Sequence, residues 1–318
     1  MKSFSVTRLN ISPYQHPDFI NMEQSLLESL PGIKYYKSLS LSDLKPTILI
    51  TNTHTVLNQL PLPLLEQTKL IIHPNSGYDH FEPDQNLWKN IPVVIGHKIR
   101  AQAVAEYTLR CLFEGLCELP QHVAWNRARL WDRLLLKEMN VCIFGHGHIG
   151  KIVASTLQNL GMNIRIVDPF KPGCASSWRE IELKKMQVVI SCLSLNKTSR
   201  HLFNQEFFEN AHPNLLFING ARGDLVDENA LKEFLLSHPN AFAFLDVFES
   251  EPFTEEWHHF PQVWKTSHVA GVHTHLDQDI LKFEYDVLND YLNISEREFM
   301  IKYNQELLQN KWIQGVLI

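Results

Sequence analysis

Cysteine is scarce in this chain of 318 residues. There are five, Cys111, Cys117, Cys142, Cys174 and Cys192, odd in number, widely spaced and without a C-x-x-C pair. That excludes a disulfide framework and a cysteine zinc site, and it fits reduced thiols in a cytoplasmic protein. No stretch approaches the roughly 18 consecutive apolar residues that a membrane span needs. The opening, MKSFSVTRLNISPY, lacks the apolar core of a secretory signal. Basic residues do not outnumber acidic ones: 29 stand against 35, for a net charge of −6. Neither nucleic acid nor an acidic membrane surface is therefore an expected partner. Internal repeats, low-complexity tracts and Gly/Ser linkers are missing as well. Sixteen histidines invite a metal reading, above all at His258-His259 and His273-Thr274-His275. No helical pair of the H-E-x-x-H kind accompanies them, so no metal is expected.

What is present is ordinary for a globular protein, with 44% apolar and 20% charged residues. The length suggests two domains. Apolar runs predict strands at 47–52, 69–72, 92–95, 140–144, 163–167, 187–192, 214–219 and 241–245. Their near-continuous β-branched and aromatic character suits parallel strands buried on both faces. Helical patterns fall between them. One spans 227–237, with Asp227 as N-cap and Leu231, Phe234 and Leu235 on one face. Longer ones, at 101–118 and 275–294, are candidates to carry the chain between domains. The alternation predicts an α/β protein with doubly wound parallel sheets. Trp257, Phe260 and Trp264 could line a substrate mouth or simply pack in a core.

Two groups of residues carry chemistry. The first is Gly145-His146-Gly147-His148-Ile149-Gly150, which follows the apolar run NVCIF and opens a helical pattern. A second strand pattern ends at Asp168, 18 positions after Gly150. That is close to the spacing of a dinucleotide-binding turn. Gly145 allows the tight turn, Gly147 lets backbone approach a pyrophosphate, and Gly150 lets helix and strand pack closely. The helix N-terminus attracts the negative charge. Asp168 can accept hydrogen bonds from both ribose hydroxyls and would repel a 2′-phosphate, which points to NAD rather than NADP. Nearby Lys171 slightly weakens that preference.

The second group follows three later apolar runs: Phe217-Ile218-Asn219-Gly220-Ala221-Arg222-Gly223-Asp224, then Asp246 through Pro252, then Ser267-His268-Val269-Ala270-Gly271. Open α/β sheets bind ligands at such carboxyl ends. An Arg, a Glu and a His gathered there could bind a carboxylate, orient an imidazole and move a proton.

From about residue 47 to 275 the chain resembles the D-isomer-specific 2-hydroxyacid dehydrogenase family. The resemblance rests on the glycine motif with Asp168, on INGARGDLVDENAL, on LDVFESEP and on SHVAG. Asn75-Ser76-Gly77-Tyr78-Asp79-His80 and Val104-Ala105-Glu106 are similar to the family's substrate-side loop and first long helix. The resemblance implies a Rossmann-type cofactor domain, 98–284, inserted into a flavodoxin-like substrate domain, 1–97 plus 285–318. It implies that Arg222 holds the substrate carboxylate and polarises the 2-keto oxygen. His268 would be the acid of keto reduction and base of alcohol oxidation. Glu251 would be its paired carboxylate, with Glu249 the less favoured choice. Asp246 would contact the nicotinamide end, and backbone around Ser76 and Gly77 would bind the substrate carboxylate. Gly145, Gly147, His148, Ile149, Gly150, Asp168, Gly220, Ala221 and Gly271 complete the expected NAD contacts. The substrate would be a small 2-keto or 2-hydroxy acid and the assembly a homodimer, with the helix at 101–118 as candidate contact. A corepressor-like NAD-sensing protein is the alternative. The chain departs from the family at Ser194 and Ser267, where proline is usual.

Overall fold

The computed structural model describes residues 3–38, 46–81, 88–116, 123–131, 133–313 and 316–318. Cys117 and the last positions of the expected 101–118 helix lie outside them. The chain divides into two compact units, 1–100 with 272–318, and 101–271.

The first unit begins with β1 (Phe4–Arg8), α1 (Phe19–Leu27), β2 (Ile33–Tyr35), β3 (Thr47–Ile50), α2 (Leu62–Gln67), β4 (Thr68–His73) and β5 (Val93–Ile95). The second comprises α3 (Ala101–Leu116), β6 (Asn140–Phe144), α4 (His148–Asn159), β7 (Asn163–Val167), β8 (Val188–Ser191), α5 (Gln205–Glu209), β9 (Leu216–Asn219), α6 (Glu228–Ser237), β10 (Phe242–Leu245) and β11 (Val263–Lys265). The chain then returns to the first unit with α7 (Leu276–Asn293), α8 (Glu296–Lys302) and the short hairpin β12 (Trp312–Ile313) and β13 (Val316–Leu317).

Both large sheets are parallel throughout. The first has the order β2-β1-β3-β4-β5 and the second β11-β10-β9-β8-β6-β7. Each is buried on both faces, as the apolar runs predict. In β6, Val141 and Ile143 enter one core while Cys142 and Phe144 enter another. This is the two-residue period of a strand between two helical layers. Asp227 caps α6 by accepting from the Asn229 and Ala230 N–H groups, and Leu231, Phe234 and Leu235 are buried.

The second crossing between units falls at Gly271/Val272, ahead of the expected 284/285. The reason is packing. Along α7, Leu276, Ile280 and Leu281 meet Phe19 of α1, and Val287 and Leu288 join Val6, Ile48 and Leu70. The whole helix thus packs within the first unit. Strands β1, β2 and β11 were not visible as apolar runs. Among the described residues no helix is long and apolar enough to cross a membrane, and no cluster could hold a metal ion.

Candidate active site

The glycine turn sits where the second sheet reverses its order of growth, at the carboxyl ends of β6 and β8. Such a switch point opens a crevice for a ligand. Gly145 has φ +93°, and a β-carbon there would stand 2.5 Å from the Cys192 carbonyl oxygen. A β-carbon at Gly150 would stand 2.0 Å from the Gly145 carbonyl oxygen. Neither position tolerates a side chain. Gly147 differs: nothing lies within 4 Å of where its β-carbon would be. Its open side lies at the N-cap of α4, which has no side-chain cap. The first turn of that helix, at His148, Ile149 and Gly150, presents backbone N–H groups to anything placed there. Asp168 follows β7, and its Oδ2 accepts from the His146 N–H at 2.8 Å. Its Oδ1 accepts from the Phe170 N–H at 3.0 Å. The turn thus fits a dinucleotide: a narrow base built by two glycines, an open approach at the third and a carboxylate beside it.

The second group forms at the carboxyl ends of the adjacent strands β9, β10 and β11. Asn219 is completely buried at the end of β9. Its amide donates to the Arg222 carbonyl at 2.8 Å, and its side-chain oxygen accepts from the Ala221 N–H. This bracing shapes the turn that carries Gly220, Ala221 and Arg222. After β11, His268 adopts φ +55°, in the left-handed region. Its Nδ1 lies 2.9 Å from Oε2 of Glu251. Burial pushes the Glu251 carboxyl up, but the hydrogen bond and charge of His268, the Phe248 N–H and the Arg222 guanidinium outweigh it. Glu251 is therefore held below the usual carboxylate range. Glu249 turns elsewhere and pairs with Nε2 of His201 at 2.9 Å. Arg222, Glu251 and His268 thus share one electrostatic neighbourhood, and Glu249 is engaged outside it.

Asp246 directly follows β10. Its side chain is fully buried. Oδ1 accepts from Thr266 Oγ1 and the Val269 N–H, and Oδ2 accepts from the Ala270 N–H. These bonds hold the segment before Gly271. Trp257 and Phe260 belong to the core, and Trp264 is half-exposed against Phe244. Ser76 and Gly77 lie in the first unit, in the half-exposed loop after β4. The buried His73 at the end of that strand shares a hydrogen bond with the Gly77 carbonyl at 2.9 Å. The bracing residues Asn219, Thr266 and Tyr107 were not singled out from the sequence. Asn219 had a signal, as an Asx residue three positions before an arginine that a glycine follows, whereas Tyr107 had none.

A family model described as D-isomer specific 2-hydroxyacid dehydrogenase, NAD binding domain, matches residues 109–270. The chain is 31% identical over 212 residues to an (S)-sulfolactate dehydrogenase of Chromohalobacter salexigens, covering 62% of this chain and 68% of that one. It is 27% identical over 251 residues to a D-3-phosphoglycerate dehydrogenase of Methanocaldococcus jannaschii, 74% of this chain. There the match spans about half of the relative's length, 48%. In fold it is similar to a D-lactate dehydrogenase of Aquifex aeolicus solved with NAD and lactic acid. The TM-score is 0.74 at 20% identity, with 96% of this chain and 99% of that one covered.

Proposed function

The chain belongs to the D-isomer specific 2-hydroxyacid dehydrogenases and carries their NAD-binding domain, and from that premise we propose that it reduces a small 2-keto acid with NADH. The observation that carries this reading is the 2.9 Å contact between His268 Nδ1 and Glu251, within the influence of the Arg222 charge.

When bound, NADH supplies the hydride. Arg222 binds the substrate carboxylate and stabilises the negative charge that grows on the keto oxygen. His268 supplies the proton. Because Nδ1 faces Glu251, Nε2 is the nitrogen that addresses the substrate oxygen. The Glu251 carboxylate accepts from Nδ1 and so fixes which nitrogen donates. In the oxidative direction the same nitrogen takes the alcohol proton. Asp168 receives the ribose hydroxyls and disfavours a 2′-phosphate. Glu251, Arg222 and His268 are the residues on which turnover depends.

The assembly is a homodimer in this reading. Within α3, Ala105 and Leu112 are buried in their own unit while Phe113 points out. Beyond the helix Val123, Trp125, Leu130 and Leu134 are exposed. So much apolar surface on one segment suits a second copy of the chain. Sedimentation at micromolar concentration should show twice the monomer mass, and a species at 36.9 kDa would refute the dimer.

The test of function is NADH consumption, followed by absorbance, against glyoxylate, hydroxypyruvate, pyruvate, a branched 2-keto acid and a phosphorylated one. Turnover of at least one is expected. NADH binding without turnover of any would overturn the reading.

A further inference from the structure

We propose that Tyr107, on α3, is a positioning residue that braces the Arg222 loop and the His268 loop against each other; the inference rests on the reading of His268 as proton donor. The ring and the hydroxyl of this one side chain meet different loops. A β-carbon on Gly220, two residues before Arg222, would lie 3.6 Å from the Tyr107 ring and 3.7 Å from the Ala270 methyl. The ring therefore packs beside the Gly220 turn, at the distance of ordinary van der Waals contact for an added β-carbon. The hydroxyl lies 2.7 Å from Oγ1 of Thr266, two residues before His268.

The direction of the protons follows from the far end of the chain of bonds. The Asp246 oxygens already accept the Val269 and Ala270 N–H groups, so the carboxylate is an acceptor. Thr266 has one hydroxyl proton and gives it to Asp246. Tyr107 must then donate to Thr266. Burial favours the protonated phenol that this requires. His268 donates its own N–H to the Asp246 carbonyl at 2.8 Å. Residues 266, 268, 269 and 270 are thus all tied to Asp246, with Tyr107 closing the array from the helix.

That array has work to do. Among the described residues His268 is one of three non-glycine residues with positive φ, with Arg129 and His201. A residue in that region persists only when its surroundings over-determine it. Its side chain is about half exposed, so packing does not hold the ring. The backbone ties and the Glu251 contact do. Removing the hydroxyl leaves Thr266 without its donor and loosens the segment at the position where a displacement of the imidazole matters most.

Tyr107→Phe keeps the ring against Gly220 and removes only the hydroxyl; Thr266→Val removes the link from the other side. Both are expected to lower kcat by about tenfold to a hundredfold, the scale of a misplaced catalytic group, with NADH affinity unchanged. The double variant should lose no more than either single one. A merely structural role would lower the melting temperature and leave kcat of the folded protein at the native value, which overturns the proposal. His268→Ala is measured alongside: native turnover in that variant defeats the proton-donor reading itself. The imidazole resonance of His268 then tests the brace without substrate. It should be sharp in the native protein and broadened in Tyr107→Phe, and an unchanged signal overturns the brace.

Discussion

Gly223 lies so close to the backbone of Phe248 that a β-carbon on it would stand 1.9 Å from the Phe248 carbonyl oxygen. This contact sets the turn that carries Arg222 directly on the loop that carries Glu251. It explains in steric terms why a glycine follows the arginine. Gly223→Ala cannot be accommodated without parting the two loops. We expect a loss of roughly 1–3 kcal/mol in stability, as for other overpacked sites. Turnover should also fall, because Arg222 and Glu251 separate. Thermal melts and steady-state kinetics on the same sample check both; native values in either would show that the loops yield elsewhere.

Asp168 serves the glycine turn as well as the proposed cofactor, through its bond to the His146 N–H. Asp168→Ser should weaken NADH binding by about 1–3 kcal/mol, the scale of losing hydrogen bonds to a charged group, and narrow the preference over NADPH. Fluorescence titrations with both nucleotides measure this. Equal affinity of the native protein for NADH and NADPH would contradict the role of Asp168.

His268→Ala should reduce turnover by about 10²–10⁴-fold, the usual worth of a positioned acid or base, while NADH still binds. Arg222→Ala should differ in kind. It removes substrate anchoring and charge stabilisation together, so KM rises as kcat falls. If KM stays constant in Arg222→Ala, the arginine does not hold the substrate.

Glu251 is ionised below the usual carboxylate range because His268 and Arg222 face it. Glu251→Gln keeps a side chain of the same size and removes the charge. The His268 Nδ1 then faces an amide that can present its NH2 group as readily as its oxygen, so the carboxylate no longer fixes the tautomer and orientation of the ring. Turnover of the keto acid should fall while NADH affinity is kept. Native turnover would separate Glu251 from the proton transfer and turn attention to the Glu249–His201 pair.

A second carboxyl pair concerns stability. Arg8, Glu23 and Glu284 are all buried together in the first unit, with the Tyr35 hydroxyl donating to Glu23. Burial and the neighbouring Glu23 raise Glu284, against the pull of Arg8. Glu23 also feels burial, but Arg8 outweighs it and holds Glu23 down. One guanidinium thus faces two buried carboxyl groups, of which Glu284 holds its proton the more readily. The raised group binds its proton more tightly folded than unfolded. Its contribution is complete below the ordinary carboxylate range and is lost as pH rises toward its folded pKa. Glu23 contributes above that range and loses its contribution as pH falls. Glu284→Gln should therefore be more stable than the native protein at neutral and alkaline pH, and Glu23→Gln less stable. Urea midpoints across that pH range decide it; a destabilised Glu284→Gln would mean that Glu284 is ionised in the fold.

Apolar runs, a glycine turn and an N-cap are local signals, and the sequence by itself determined what depends on them. The eight strands read from β-branched runs all exist, Asp227 caps its helix, and the glycine turn stands between a strand and a helix. Arg222, Glu251 and His268 were legible because each follows a buried run, and parallel strands bring such segments to one end of a sheet. Tertiary structure alone decided the rest. Strand β1 reads FSVTR and escapes a hydropathy reading, yet all five residues are buried. Its Thr7 and Arg8 are satisfied by Tyr36 and Glu23, partners far along the chain. The resemblance favoured Glu251 over Glu249, but the contacts that part these two carboxylates, one with His268 and the other with His201, belong to the fold. Asp246 and Tyr107 make the same point. A side chain's solvent access and its hydrogen-bond partners come from residues distant in sequence. No period or spacing along a single chain records them.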